Sequence, residues 1–174
     1  MNKESGSKSY PLSNVDIMKA VRGKTKIIPY NELINYNSID DVLSPYDNAV
    51  ILYLTESAYS GHWTLLLKQP NGSIGYMDSY GDKPDEIFKY IPKKIRQKYN
   101  FTGKPYLSKL LINSPYKIEY NEIQGQKDGE GIATCGRHCI FRILLKDLPL
   151  ETYQAIMQMF DGDELVTKLT NLII

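Results

Sequence analysis

Cysteine and histidine are scarce in this 174-residue chain, with two of each and a single tryptophan. Two cysteines, Cys135 and Cys139, cannot build the disulfide framework of a small secreted domain, so a reducing compartment fits them better. A Cys-x-x-x-Cys pair with no companion cluster of ligands does not make a metal site either. Cys139 therefore reads as core packing, and neither a metal nor a cofactor is expected. Charge is balanced: 21 Lys and Arg stand against 20 Asp and Glu, a formal net charge of +1. That balance gives no general pull toward nucleic acid or membrane. No apolar run approaches the roughly 18–20 residues of a membrane span. Residues 1–10 read as a flexible leader, because 1–9 lack the apolar centre of a secretory signal. No repeat, low-complexity stretch or linker divides the chain. Residues 1–174 read as one domain, long enough for a sizeable core.

What is present concentrates around Cys135. The stretch Gln124-Gly125-Gln126-Lys127-Asp128-Gly129-Glu130-Gly131 holds too many glycines for a regular element. It leads into Thr134-Cys135-Gly136-Arg137-His138-Cys139, after which Cys139, Ile140, Ile143 and Leu144 recur at helical spacing and define one buried face. Cys135 thus falls in the first turn of a helix, where unpaired N–H groups and the helix dipole favour a thiolate. Such positions bring a cysteine pKa to about 3.5–7.5. An isolated cysteine is more often a small buried hydrophobe, but the loop-to-helix position argues for a nucleophile. Gly136 leaves room for a substrate backbone, and the Cys135 N–H can face a developing oxyanion.

A thiolate needs a proton carrier. His138 lies three residues further along the same helix, has no carboxylate placed to orient it, and with Arg137 is expected to face the surface or the loop. His62 is the better candidate, at the mouth of the apolar strand Trp63-Thr64-Leu65-Leu66-Leu67. Sixteen residues on comes Asp78, closing Ile74-Gly75-Tyr76-Met77-Asp78. Between them, Pro70-Asn71-Gly72-Ser73 is a strong hairpin turn. An antiparallel hairpin sets its two open ends side by side, so Asp78 can fix the His62 tautomer and steady an imidazolium. The simpler reading of Asp78 is a turn carboxylate opening Asp78-Ser79-Tyr80-Gly81; the register favours the pairing, with Asp82 as substitute if the register differs. Trp63 is either plain core or one wall of a cleft.

The order His, Asp, Gln, Cys, carried by Gly61-His62-Trp63, Asp78-Ser79-Tyr80-Gly81, a glutamine and Cys135-Gly136, resembles the adenovirus-type cysteine proteases, relatives of the ubiquitin-like-protein proteases. The flanking phrases Leu12-Ser13-Asn14-Val15-Asp16-Ile17 and Asp163-Glu164-Leu165-Val166-Thr167-Lys168-Leu169-Thr170 extend the resemblance over nearly the whole chain. They are similar to the capsid-maturation proteases of virophages and related large DNA viruses. The resemblance implies a single α+β, papain-like domain of circularly permuted order, with a central mixed sheet packed against a buried helix carrying the cysteine. It implies an endopeptidase that trims capsid or other virion precursor proteins at small-residue, often glycine, sites, in the virion and the infected-cell cytoplasm. It makes Trp63 line a narrow channel and gives a glutamine the oxyanion role. Gln124 stands eleven residues before Cys135 and Gln126 nine, so the loop is longer than in that family. Gln124 is preferred because it ends the strand-like run 118–123; Gln126 is the alternative.

Adenoviral relatives use DNA and a peptide as activators. The cluster Lys93, Lys94, Arg96 and Lys98 is the weak candidate contact here, and a solvated helix face explains it more simply. Three rival functions keep parts of the pattern: an isopeptidase removing ubiquitin-like modifiers from host conjugates, a protein acetyltransferase using the same triad, and a non-enzymatic binding module. Elsewhere the sequence predicts a helix capped by Ser13 or Asn14 through Val21, an irregular segment over 24–37, a helix from Ser38, and a buried strand over 49–54. It predicts a helix capped by Asp82 and interrupted at Pro92, segments over 106–112 and 116–120, and closing helices over 150–160 and 163–172.

Overall fold

Residues 49–54 are apolar without a break because the strand they form is covered on both faces. In the computed structural model, which describes residues 6–57, 60–101 and 103–174, this strand is β2 (Asn48–Ser57). It belongs to a five-stranded sheet of order β1-β2-β3-β4-β5. Strands β1 (Lys26–Pro29) and β2 are parallel; β3 (Ser60–Lys68) and β4 (Ile74–Asp78) run antiparallel to their predecessors; β5 (Ile118–Tyr120) is parallel to β4. The β3–β4 turn closes as its residues dictate. Gly72 takes φ +82°, and the Asn71 Oδ1 accepts from the Ser73 N–H at 3.0 Å.

Helix α1 (Asn14–Ala20) starts at a capping box in which Ser13 and Asp16 satisfy each other's backbone N–H groups. Ser38 caps α2 (Ile39–Leu43) in the same manner at one end. Pro92 splits the next helical stretch into a 3-10 turn (Glu86–Lys89) and α3 (Lys93–Lys98). Asp82 caps neither, contrary to expectation. Asp85 organises this corner instead, in the left-handed region at φ +67°, accepting from the Ser108 N–H and the Tyr53 hydroxyl. Helix α4 is Tyr106–Ile112. The segment 24–37, expected to be irregular, contains β1 and a 3-10 turn (Tyr30–Asn35). A four-residue parallel strand has no local signal; its pairing with β2 makes it.

Helix α5 (Cys135–Leu144) packs across β3, with α1 and α7 (Gly162–Thr170) against its other side. Every residue from Cys135 to Ile143 is buried, while Leu144 is exposed. The expectation of one buried face is therefore corrected: the helix is enclosed all round. Arg137 and His138, expected to face the surface or the loop, are buried with polar partners, and His138 lies against the loop at Gly125. The Arg137 Nη1 donates to Asn171 Oδ1 at 2.9 Å, and Arg142 donates to the Leu145, Leu148 and Gln69 oxygens. Phe141 joins Tyr153, Met157 and Val166 in a second apolar cluster that fastens α6 (Leu150–Met159) and α7 to α5; each such side chain contributes about 1.5–3 kcal/mol.

The leader also differs from expectation. From Gly6 onward it lies on the body: the Lys8 carbonyl accepts from the Ala133 N–H at 2.8 Å, and the Gly6 carbonyl from Asn171 at 2.9 Å. Residues 1–5 of that expectation lie outside the described residues. No helix among the described residues is long and apolar enough to cross a membrane.

Gly61 marks the tightest approach in the sheet. A Cβ there would meet the Tyr53 carbonyl oxygen at 2.0 Å, a backbone atom that cannot swing away. Gly61→Ala is expected to cost at least about 3 kcal/mol, the upper end of overpacking penalties. Chemical denaturation measures this, and an unchanged midpoint would contradict the packing.

Candidate active site

Three elements converge at one end of the sheet. Asp78 is the last residue of β4 and pairs with Thr64 on β3. His62 lies two residues before Thr64, on the same face of the pleat and diagonal to Asp78. The diagonal is spanned by side chains: His62 Nε2 donates to Asp78 Oδ1 at 2.9 Å, both groups buried. Asp78 Oδ1 also accepts from the Tyr80 N–H at 2.8 Å. The backbone of Asp78 is clamped by Asn121, whose Oδ1 accepts from the Asp78 N–H and whose Nδ2 donates to the Asp78 carbonyl. Asp82 sits 3.6 Å from Lys89 instead.

With Nε2 on Asp78, the other ring nitrogen, Nδ1, is left to serve Cys135, which lines the same cleft as the imidazole. Cys135 opens α5 and is nearly buried; both cysteines are free. Burial alone would lower the His62 pKa. The hydrogen bonds to Asp78 and Cys135, with their negative charge, outweigh burial and push it from 6.5 up to about 10. A raised histidine pKa stabilises the fold fully below the unfolded value and loses that contribution as pH rises through the folded one. The melting temperature is therefore expected to decline between pH 6.5 and about 10. That decline should be absent in His62→Gln; an identical decline in both proteins would refute the assignment.

The Tyr80 ring stacks on His62, with centroids 5.1 Å apart and planes at 27°. Sequence reasoning passed over Tyr80 and Asn121. Tyr80 sits two residues past Asp78, close enough in sequence to have been found; Asn121 gave no signal before β5 was known to pair with β4.

The cleft at Cys135 encloses about 880 Å³. His62, Trp63, Tyr80, Gln124 and Gln126 line it beside Cys135, with an apolar wall of Ile87, Tyr90 and Ile91. Trp63 is both core and wall: it is 5% exposed, and its indole N–H donates to the Leu12 carbonyl at 3.1 Å. Gly136 has a packing role that the sequence did not reveal. A Cβ there would sit 3.2 Å from Leu12 Cβ and 3.3 Å from Trp63 Cδ1, so its missing side chain lets α5 close on β3.

The structure separates the two glutamines. Gln124 is exposed, and its amide donates to the Gln126 carbonyl at 2.9 Å and to Asp128 at 3.2 Å. Gln126 is buried; its Oε1 accepts from the Ser79 hydroxyl at 2.8 Å and its Nε2 donates to the Tyr80 hydroxyl at 3.0 Å. The Ser79 carbonyl accepts from both the Gly125 and Gln126 N–H groups at 2.8 Å, fixing the loop to the end of β4. His138, read as lacking a carboxylate, donates to Asp163 at 3.2 Å. Lys93, Lys94 and Lys98 of the basic cluster lie exposed on α3.

No protein-family model matches the sequence. Among solved structures, the ASFV pS273R protease superposes with a TM-score of 0.57 at 16% identity, over 97% of this chain and 70% of that one. The C-terminal Ulp1 protease domain, solved with Smt3, the yeast ortholog of SUMO, is 19% identical with a TM-score of 0.39, over 93% of this chain and 79% of that one. The α+β single domain with its mixed sheet is thus the fold of the pS273R protease. In sequence, the chain is 42% identical over 165 residues to uncharacterized protein V9 of Sputnik virophage, spanning 91% of this chain and 93% of that protein. A helix-borne thiol, an imidazole and a carboxylate are set at one cleft on this fold, and the chain belongs to the family of the Sputnik virophage protein V9.

Proposed function

We propose that the protein is a cysteine endopeptidase that processes virion precursor proteins, capsid proteins among them, at small-residue sites. One observation carries the reading: His62 is held by Asp78 through Nε2 and shares a cleft with Cys135, which opens a buried helix. In this scheme the Cys135 thiolate attacks the scissile carbonyl, and His62 passes its proton to the leaving amine. Water, deprotonated by His62, then releases the acyl chain and regenerates the thiol. The oxyanion sits at the first turn of α5, bound by backbone N–H groups and by a glutamine amide.

We assign that amide to Gln126 rather than Gln124. Both glutamines line the cleft with Cys135; Gln126 is buried and held by Ser79, Tyr80 and the Ile132 carbonyl, whereas Gln124 is exposed and its amide bonds within the loop. Gln126→Ala is expected to lower kcat by about 10²–10³. Gln124→Ala is expected to leave it within about threefold, since no oxyanion donor is lost. Equal losses in the two variants would reject the assignment.

The chain acts in the infected cell and the virion in this reading. The test is incubation of the purified protein with virion precursor proteins, followed by mass spectrometry of new termini. New termini after small residues support the endopeptidase. Reaction of Cys135 with a modifier bearing an activated Gly-Gly terminus, without precursor cleavage, would move the function to isopeptidase.

A further inference from the structure

Asp163 lies in the first turn of α7, buried, and the acyl-transfer scheme does not use it. Its carboxylate gathers three donors from two other parts of the chain. Oδ1 accepts from the Thr134 hydroxyl and from His138 Nε2; Oδ2 accepts from the Lys127 N–H at 2.9 Å. Burial pushes its pKa up, but the bonds from His138, the Lys127 N–H and Thr134 outweigh burial and hold it below the usual carboxylate value. It therefore remains an anion, which only accepts.

Each donor sits next to the proposed machinery. Lys127 follows Gln126. Thr134 precedes Cys135 and stands at the N-cap of α5, where a threonine hydroxyl normally takes up a first-turn N–H. Here no such bond forms: Thr134 stands at φ −99° and ψ 0°, outside the extended conformation usual for an N-cap, and its hydroxyl donates to Asp163. The first-turn amides are thereby left for a substrate oxygen. His138 supports the loop from below: a Cβ at Gly125 would sit 3.0 Å from His138 Cε1, and one at Gly162 would sit 2.5 Å from the Gly125 carbonyl oxygen.

We propose that Asp163 is a positioning residue for the oxyanion side of the site, locking the Gln126 loop to the start of α5 and holding Thr134 in its uncapped conformation. The inference rests on the acyl-transfer reading above. It adds a residue some distance along the chain whose effect passes entirely through Gln126 and the α5 amides.

Asp163→Asn keeps the volume but removes the charge and one acceptor, and Thr134→Val removes the donor hydroxyl at the other end of the contact. Both are expected to lower kcat by about 10–10², the size of comparable supporting-shell losses, with KM within about twofold. Thr134→Ser should restore wild-type kcat. Amide exchange at Lys127 should accelerate about tenfold in Asp163→Asn, as loss of a charge-assisted bond requires, while β3 amides keep their protection. Alkylation of Cys135 by iodoacetamide, which needs the thiolate but no oxyanion donor, should stay near the wild-type rate. In a Gln126→Ala background, Asp163→Asn should add little further loss. Losses that add independently, unchanged Lys127 exchange, or alkylation that falls in step with kcat would each overturn the proposal. Loss of β3 protection in both variants would reduce Asp163 to support of the fold and overturn it as well. A wild-type chain that cleaves nothing defeats the peptidase reading on its own; the Lys127 exchange arm still decides whether Asp163 holds the loop.

Discussion

Replacing Cys135 by alanine is expected to abolish the proposed cleavage by the purified chain and to leave its fold intact. The expected loss in turnover is about 10⁶, because removal of a nucleophile leaves only binding and oxyanion stabilisation. The structural cost is small for a physical reason. Cys135 is 8% exposed at the edge of the cleft, and alanine removes one sulfur without touching the backbone bonds of α5. A deletion of that size costs on the order of 1 kcal/mol. The imidazole should register the change: without the thiol's hydrogen bond and charge, the His62 titration falls below its wild-type midpoint of about 10. The measurements are mass spectrometry of precursor digests, thermal unfolding, and the pH dependence of the His62 proton resonances. Retained cleavage at the same sites would remove Cys135 from the mechanism, and an unmoved His62 midpoint would show that the two groups do not interact.

The second large effect is expected at Asp78. In Asp78→Asn the new amide can rotate its NH₂ toward His62 Nε2, which favours the tautomer with the proton on Nδ1. That nitrogen faces Cys135 and can then no longer accept the thiol proton. The analogous change in a serine triad costs about 10⁴ in kcat. Folding should suffer far less, since the contacts from Asn121 run to the Asp78 backbone and survive the substitution. The negative charge that keeps His62 protonated is also lost, so Cys135 alkylation should fall at neutral pH. Asp82→Asn is the control: its carboxylate is near Lys89 and makes no contact with His62, so turnover should hardly change. If Asp82→Asn proves the more damaging of the two, the orienting role belongs to the wrong carboxylate.

The pairing of His62 with Asp78 is legible in the sequence because a hairpin is a local object. Its turn residues and its period of two fix which ends meet and which face they share. The start of α5 is legible for a similar reason, since a glycine-rich loop running into an apolar period marks a helix N-terminus without reference to distant residues. Strand β1 is not legible, because a short parallel strand acquires its hydrogen bonds only from β2. The buried state of Arg137 and His138 is equally hidden: their partners, Asn171 and Asp163, arrive from α7 about thirty residues later. The preference between the glutamines turned on which one stood on firmer backbone, and strand-like sequence pointed to Gln124. The firmer anchor for Gln126 is a serine and a tyrosine some 46 residues earlier in the chain.

Local chemistry in the sequence was enough to place the hairpin that joins imidazole to carboxylate and the helix that bears the thiol, while the fold class came from the family resemblance. Only the tertiary structure shows that Gln126 is buried while Gln124 is exposed, that Gly136 lies close against Leu12 and Trp63, and that Asp163 bonds both the loop and the start of the helix. The division follows from range: turn, period and cap act within a few residues, whereas burial and hydrogen-bond satisfaction depend on groups that only folding brings together.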